Sequence, residues 1–121
     1  RLNPEGLIVV QSGTSGPNNY SDIFTAIHNT LETIFPLVRA YSVTVPSFAS
    51  PWGFVIGSLG RDPAAMDPHG IDQSISNRVT KKLSLYDGIT HQRLFSLAKY
   101  LRIALDKERR IITEENPIVV V

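Results

Sequence analysis

The sequence contains no cysteine, one methionine and one tryptophan among its 121 residues. The lack of cysteine excludes disulfide scaffolds, thiolate zinc sites and thiol nucleophiles, and it makes a cytoplasmic protein the default expectation. No apolar run approaches the roughly 20 residues that are needed to span a bilayer, and the first residues lack the order of a signal peptide. We therefore expect no membrane segment.

An excess of charge of one sign is also lacking. The chain has 12 basic and 11 acidic residues, a net charge of +1, and no charged block beyond the short run from Lys107 to Arg110. Nucleic acids and anionic membranes are therefore not expected partners. The apolar fraction of 42% is ordinary for one globular domain. Because residue 1 is Arg and a turn leads straight into a strand, we expect residues 1–121 to be a partial domain.

The first strand is predicted at Leu7–Val10, a run of strand-favouring residues that is apolar on both faces. Such runs are typical of central strands in covered parallel sheets. Gln11 would then lie at the carboxyl end of the strand, where open α/β sheets bind their ligands. The loop that follows is rich in glycine and serine but lacks the spacing of a phosphate-binding loop.

The next elements are predicted from periodicity and from turn residues. Ser21 is a suitable N-cap for a helix that ends at Pro36, with an apolar stripe at Ile23, Ile27, Leu31 and Ile34. Strands are predicted over 37–45 and 53–59, and their short connection indicates an antiparallel pair. Residues 1–59 would thus form the sheet core of an α/β domain.

Residues 60–121 are predicted to form peripheral helices and a tail. We expect a helix from about 71 to 79, a short extended piece at 83–86, and a longer helix that is capped by Thr90. The longer helix has an apolar stripe at Leu94, Leu97, Leu101 and Leu105. The tail from 109 to 121 ends in a strand-like apolar run, which we expect to pair with a partner or with another part of the protein.

The loop Val45–Phe54 carries the most informative residues of the chain. Pro46 and Pro51 flank Phe48 and make the loop stiff, and Trp52 follows at the start of a strand. Rigid aromatic residues at the end of a sheet can form the wall of a ligand site. The alternative is that both rings simply pack in the core.

Tyr86 and His91 lie close in sequence at a turn that leads into a helix, so they are candidates for a structural or site-lining role. A histidine at a helix start favours its neutral form because of the helix dipole. Asp62, Asp67 and His69 match no metal-binding motif. No metal site is predicted.

Four segments together resemble, in the same order, the carboxyl-terminal half of spermidine synthases and related aminopropyltransferases. They are Leu2–Gln11, Ile34–Pro36, Val45–Phe48 with Trp52–Phe54, and Leu85–His91 through Phe95–Leu101. The resemblance covers nearly the whole chain. Two positions depart from it: family members usually have Pro where Ala98 stands, and often a Tyr-Pro-Ser-Gly loop where this chain has Phe48 to Pro51.

The resemblance implies the carboxyl-terminal part of a methyltransferase-like, Rossmann-like doubly wound sheet that ends in an antiparallel strand pair. The implied reaction is transfer of an aminopropyl group from decarboxylated S-adenosylmethionine, a co-substrate, to putrescine or a similar amine, without metal. The carboxylates that hold and deprotonate the amine would lie upstream of Arg1, in a missing amino-terminal half. No catalytic residue is therefore expected in the chain, which alone should be inactive.

By the same resemblance, the substrate-binding residues are Phe48, Trp52 and Gln11. Phe48 stands where the family often has a substrate-contacting tyrosine, and Trp52 stands where a side chain lines the polyamine channel. Flat aromatic walls suit a methylene chain and attract ammonium groups by cation–π contact, worth about 0.5–2 kcal/mol. Tyr86 and His91 remain possible lining residues.

Two other functions stay open. The chain could be a non-catalytic association module derived from this family, or the end of an S-adenosylmethionine-dependent methyltransferase with the same sheet. Because half of a doubly wound sheet leaves a long edge unpaired, we also expect homo-oligomers.

Overall fold

The computed structural model describes residues 2–118. Its regular elements, in chain order, are β1 (Leu7–Thr14), α1 (Phe24–Glu32), β2 (Leu37–Val45), β3 (Ser50–Ser58), α2 (Pro68–Arg78), α3 (Gly88–Phe95) and α4 (Lys99–Lys107), with short 3-10 turns at Pro46–Phe48 and Pro63–Ala65. None of the helices in this described part is long and apolar enough to cross a membrane.

The three strands form one antiparallel sheet in the order β1-β3-β2. β2 and β3 are joined by the Pro46–Phe48 turn, and their register runs from Val45 opposite Ser50 to Leu37 opposite Ser58. The predicted strand 37–45 and its antiparallel pairing are confirmed. β3 begins three residues earlier than predicted and ends at Ser58.

Within the described residues β1 has a neighbouring strand on one side only, so its predicted place at the centre of a parallel sheet stays a prediction. β1 pairs only with β3, in antiparallel orientation, with Leu7 opposite Ser58 and Gln11 opposite Phe54. Leu7 and Val9 are 43% and 51% exposed, since the helix that packs on their side of the sheet, α3, lies over β2. The strand also continues past Gln11 through a register shift to Thr14.

One face of the sheet carries the main hydrophobic core. The buried side chains of this core are Phe24, Leu31, Val38, Ala40, Val55 and Leu101. They come from α1, β2, β3 and α4, so both helices lie on this face. Gly53 of β3 permits the close approach of α1, since a Cβ there would lie 2.4 Å from the ring of Phe24.

The helix start predicted at Ser21 is wrong. α1 begins at Phe24, and the preceding Ile23 makes no side-chain capping hydrogen bond. Residues around Ser21 instead form turns, in which Asp22 N–H donates to the carbonyl of Asn19. The buried side of the helix includes Phe24 and Leu31, whereas Ile34 lies beyond its end and is 66% exposed.

The single long helix predicted after Thr90 is two helices. α3 ends at Phe95, Ser96 has non-helical dihedral angles, and α4 begins after Ala98, whose ψ is 152°. The N-cap of α3 is Asp87, whose carboxylate accepts a hydrogen bond from Thr90 N–H, so Thr90 is not the cap. No strand forms at 83–86, whereas the helix predicted near 71–79 is confirmed as α2.

The tail lies against α1 as far as the structure describes it. Arg110 donates to the carbonyl of Ser21, Asn29 donates to the carbonyl of Arg110 at 2.9 Å, and Ile112 N–H donates to Thr30 Oγ1 at 2.9 Å. The apolar run predicted to pair as a strand falls mostly on residues 119–121, which lie outside the described residues.

Candidate functional site

Phe48 and Trp52 form a pair of aromatic rings at the β2–β3 end of the sheet. Their ring centroids lie 4.2 Å apart at an interplanar angle of 35°. Phe48 sits in the 3-10 turn and is 42% exposed, so it is not a core residue. Trp52 lies on β3 between Thr14 of β1 and Val43 of β2. The two side chains thus present a partly exposed apolar surface.

The turn that holds Phe48 has an unusual backbone. Ala49 adopts a left-handed conformation with φ of 56°, the only non-glycine residue of positive φ in the described part of the chain. Its N–H closes the turn by donating to the carbonyl of Pro46 at 3.2 Å. Alanine pays a steric cost in this region because of its Cβ. The position of Phe48 is therefore held against local strain.

Trp52 contributes a polar atom as well as an apolar ring. Its indole Nε1 is buried and has no hydrogen-bond partner among the described residues. Indole is a donor only, and buried donors in native proteins are nearly always paired. This unpaired donor is a feature that the sequence did not reveal.

Gln11 lies on β1 but not at the carboxyl end of the strand as predicted. It is exposed and stands opposite Phe54, whereas Trp52 lies opposite Thr14, beyond the register shift. The structure therefore places Gln11 beside the aromatic surface, one cross-strand pair away from Trp52.

A row of four aromatic rings lies on the second face of the sheet. The ring centroids of Phe54 and Tyr41 are 5.1 Å apart and the two rings are stacked. The centroid of Tyr41 lies 5.4 Å from that of Phe95 in α3, and the centroid of Phe95 lies 5.0 Å from that of His91. Burial raises the pKa of the Tyr41 hydroxyl. The sequence analysis did not predict this row. The contact between Tyr41 and Phe54 could have been inferred from the antiparallel register of β2 and β3, in which the two residues are directly opposite.

Tyr86 and His91, which were predicted as structural or lining residues, are in contact with each other. The Tyr86 hydroxyl lies 2.9 Å from His91 Nδ1, and His91 Nε2 lies 2.6 Å from the carbonyl oxygen of Pro63. Since a carbonyl can only accept, Nε2 carries the proton and Nδ1 accepts from the tyrosine. Burial raises the pKa of Tyr86, which keeps it a donor. The pair joins α3 to the Pro63–Ala65 turn.

The acidic residues between β3 and α2 have structural partners. Asp62 accepts two hydrogen bonds from the guanidinium of Arg39, at 3.0 and 2.8 Å, and these hydrogen bonds hold the pKa of Asp62 below its usual range. Asp67 caps α2 by accepting from Gly70 N–H. Within residues 2–118, no group of three metal-ligating side chains comes together.

A cleft of about 440 Å³ adjoins the aromatic surface. Val43, the cross-strand neighbour of Trp52, lines it together with Thr44 and Pro51 of the hairpin and with residues of the α3–α4 junction. The charged residue in its lining is Arg93, and the described lining offers no carboxylate. The cleft therefore suits an apolar or uncharged group better than an ammonium group.

Comparison with known proteins shows which proteins this chain is similar to. The chain is 39% identical over 117 residues to a polyamine aminopropyltransferase of Sulfolobus acidocaldarius, covering 97% of this chain and 38% of that protein. It is 34% identical over 116 residues to a thermospermine synthase of Arabidopsis thaliana, covering 96% of this chain and 34% of that protein. The resemblance to aminopropyltransferases is confirmed. The chain spans a little over a third of the length of these aminopropyltransferase relatives, and no protein-family profile matches it.

Solved structures agree on the fold. The chain superposes on spermidine synthase from Thermotoga maritima with a TM-score of 0.69 at 19% identity, over 87% of this chain and 36% of that one. A second spermidine synthase, solved in complex with the transition-state analogue AdoDATO, gives a TM-score of 0.68. The predicted α/β fold, that of the methyltransferase-like aminopropyltransferases, is thereby confirmed.

Proposed function

We propose that this chain is part of a spermidine-synthase-like aminopropyltransferase. The observation that carries the proposal is the 39% identity to a polyamine aminopropyltransferase across 97% of the chain. The proposed reaction transfers an aminopropyl group from decarboxylated S-adenosylmethionine to putrescine or a similar amine. The location is proposed to be the cytoplasm, and the chain is proposed to correspond to the carboxyl-terminal half of the enzyme.

The proposed reaction needs a deprotonated amine and a positioned sulfonium. The amine lone pair attacks the methylene carbon beside sulfur, a C–N bond forms, and the C–S bond breaks with its electrons going to sulfur as a neutral thioether. The amine proton passes to an acidic side chain that acts as general base. Since the described wall and cleft offer no carboxylate, we place that base outside these 121 residues.

In this proposal the chain supplies part of the amine-site wall. The contact between Phe48 and Trp52 provides a flat apolar surface against which a methylene chain can pack, and Gln11 stands beside it with an exposed amide. Holding the amine against such a wall restricts its orientation before attack. Phe48 lacks the hydroxyl that related enzymes often have at this position, so the preferred amine is to be determined by experiment.

The test is an assay of the natural protein that contains this chain. We expect it to convert decarboxylated S-adenosylmethionine and an amine acceptor to a longer polyamine, with putrescine, spermidine and agmatine tried in parallel. Phe48→Ala should raise KM for the amine, whereas Ser47→Ala, a change at the adjacent exposed residue, should not. The isolated 121-residue chain should show no turnover. Methyl transfer from S-adenosylmethionine without aminopropyl transfer would reject the proposal in favour of a methyltransferase.

A second candidate function is association without catalysis. The observation that favours it is the side of β1 that carries Leu7 and Val9, which are about half exposed and form an apolar strip beside an edge without a described partner. Such edges pair readily with other strands. We propose that the isolated chain self-associates through β1. Light scattering of the isolated wild-type chain and of its Val9→Lys variant tests this proposal. If β1 mediates self-association, the wild type should be oligomeric and Val9→Lys should be monomeric.

A further inference from the structure

Ser15 joins three elements of the fold through all of its polar groups. It follows directly on β1 and is completely buried. Its N–H donates to the carbonyl of Pro51 in β3 at 3.1 Å, and its hydroxyl lies 2.6 Å from that of Ser42 in β2. Its carbonyl accepts from the Tyr100 hydroxyl of α4 at 2.8 Å. Because a buried polar group that loses its partner is costly, these contacts hold Ser15 in one place.

The contacts of this serine fall on both sides of Trp52. Pro51 immediately precedes Trp52 on β3. Ser42 stands opposite Gly53, the residue that follows Trp52. One neighbour of the tryptophan is thus fixed directly and the other through the facing strand. Because the Trp52 ring packs with Phe48 at a centroid distance of 4.2 Å, the same contacts support the whole aromatic surface.

β1 needs this anchor because its ladder with β3 is interrupted. The register shifts between Gln11 and Thr14, where β1 has one residue more than the strand it faces. Gly13 lies in this bulge with a positive φ of 78°. A bulge bends its strand and leaves the extra residue outside the ladder, and past it only the pair of Thr14 with Trp52 follows. The Ser15 contacts therefore secure the end of β1 to the hairpin.

We propose that Ser15 is a positioning residue for the amine, supported by Tyr100 and Ser42. This inference rests on the proposed function. None of the three touches the amine; they hold the two strands that carry Gln11 and Trp52 at a fixed separation. A methylene chain that lies between these side chains keeps its nitrogen aimed at the reacting carbon only while the wall does not move.

A purely structural role of this hydrogen-bond network would have a different kinetic result. If the network only stabilised the fold, its loss would reduce the fraction of active enzyme, so kcat would fall and both KM values would stay unchanged. If it positions the wall, KM for the amine rises, and KM for decarboxylated S-adenosylmethionine does not. The two KM values therefore separate the roles.

The first test is Tyr100→Phe in the natural protein that contains this chain. This change removes the donor to the Ser15 carbonyl and keeps the ring. We expect KM for the amine to rise about 3- to 10-fold, the effect of losing one hydrogen bond. Tyr20→Phe is the matched control, because its ring packs on that of Tyr100 at 5.3 Å while its hydroxyl makes no hydrogen bond within residues 2–118. It should leave both KM values unchanged.

The second test removes the serine–serine contact from either side. Ser15→Ala and Ser42→Ala should each raise KM for the amine, and the double variant should raise it no further, since both changes remove one contact. Circular dichroism verifies that each variant keeps its fold. An unchanged KM for the amine in Tyr100→Phe and Ser42→Ala, or a fall in kcat alone, would overturn the positioning role.

Failure of the proposed function gives a different result from failure of this inference. If the unmodified protein transfers no aminopropyl group, the proposed function is wrong and the positioning role of Ser15 falls with it. If the unmodified protein is active and the variants keep its KM for the amine, the proposed function stands and this inference alone is wrong.

Discussion

The hydroxyl of Tyr86 and Nδ1 of His91, five residues apart, form a 2.9 Å hydrogen bond that fixes the histidine tautomer. With the proton on Nε2, His91 donates to the carbonyl of Pro63 and thereby ties α3 to the Pro63–Ala65 turn. The row of aromatic rings that leads to Phe54 begins at this histidine.

Removing the tyrosine hydroxyl should loosen this connection. In Tyr86→Phe, Nδ1 loses its donor, and we expect the free energy of unfolding to fall by about 0.5–1.5 kcal/mol, measured by urea denaturation. Tyr20→Phe is the matched control, because the Tyr20 hydroxyl makes no hydrogen bond within residues 2–118, and it should change stability little. Equal effects of the two changes would contradict a structural role for the Tyr86–His91 pair.

Glu108 makes stability depend on pH in the acid range. The guanidinium of Arg110 and the hydroxyl of Thr25 donate to its carboxylate, and these contacts lower its pKa from 4.5 to about 2. A depressed pKa in the folded state adds stability that is present above pH 4.5 and is lost as the pH falls toward 2. Because Arg110 is 45% exposed, solvent screening reduces the contribution to about 1–2 kcal/mol.

The measurement is the free energy of unfolding at pH 6 and at pH 3, by urea denaturation. The wild type should lose more stability between these values than Glu108→Gln, whose side chain does not titrate. Glu115→Gln, a change at an exposed carboxylate without an ion pair in the described chain, should follow the wild type. A Glu108→Gln variant with the full wild-type pH dependence would show that other groups cause it.

Gly53 should not tolerate a methyl group. A Cβ at this position would lie 2.4 Å from the ring of Phe24, which is completely buried. We expect Gly53→Ala to cost about 1–3 kcal/mol through overpacking. The control is Gly70→Ala in α2, where a Cβ would meet nothing within 4 Å. There the gain in helix propensity should stabilise the fold by about 0.5–1 kcal/mol, so the two substitutions should have opposite signs in thermal unfolding.

Ala98 is a position where proline should stabilise. Its φ of −59° is close to the angle that proline prefers, and its N–H donates no hydrogen bond within the described residues. We expect Ala98→Pro to raise the free energy of unfolding by about 0.4–1 kcal/mol, because the unfolded chain loses freedom. Ala104→Pro, inside α4, should instead cost about 3 kcal/mol or more. Destabilisation by Ala98→Pro would contradict the break between α3 and α4.

Local sequence signals predicted the bounds of an element correctly where turn residues flank it. Pro36 and Pro46 enclose β2, and its predicted bounds are those observed. The same signals failed between α3 and α4, because the leucine stripe from Leu94 to Leu105 continues through the break and alanine at position 98 favours helix. The direction of α4 after the break is instead set by the packing of Leu101 in the hydrophobic core, where it is 3% exposed.

The candidate site was predictable only in part. Phe48 and Trp52 are near in sequence, so their contact could be expected from a stiff loop. The contact between Thr25 and Glu108, 83 residues apart, depends on how the tail packs on α1, for which periodicity carries no signal. The unpaired indole N–H is equally hidden, since it depends on the exact packing around one atom.

The strand order β1-β3-β2 also has a consequence for how the chain folds. β1 is the first strand in sequence, yet its partner is the last, since Leu7 pairs with Ser58. Pairing of β1 with β3 therefore closes the whole stretch of chain between Thr14 and Ser50, whereas β2 and β3 are joined by the short Pro46–Phe48 turn. Closing the short hairpin costs less chain entropy than closing the long loop. We therefore expect the hairpin that presents Phe48 and Trp52 to form before it pairs with β1.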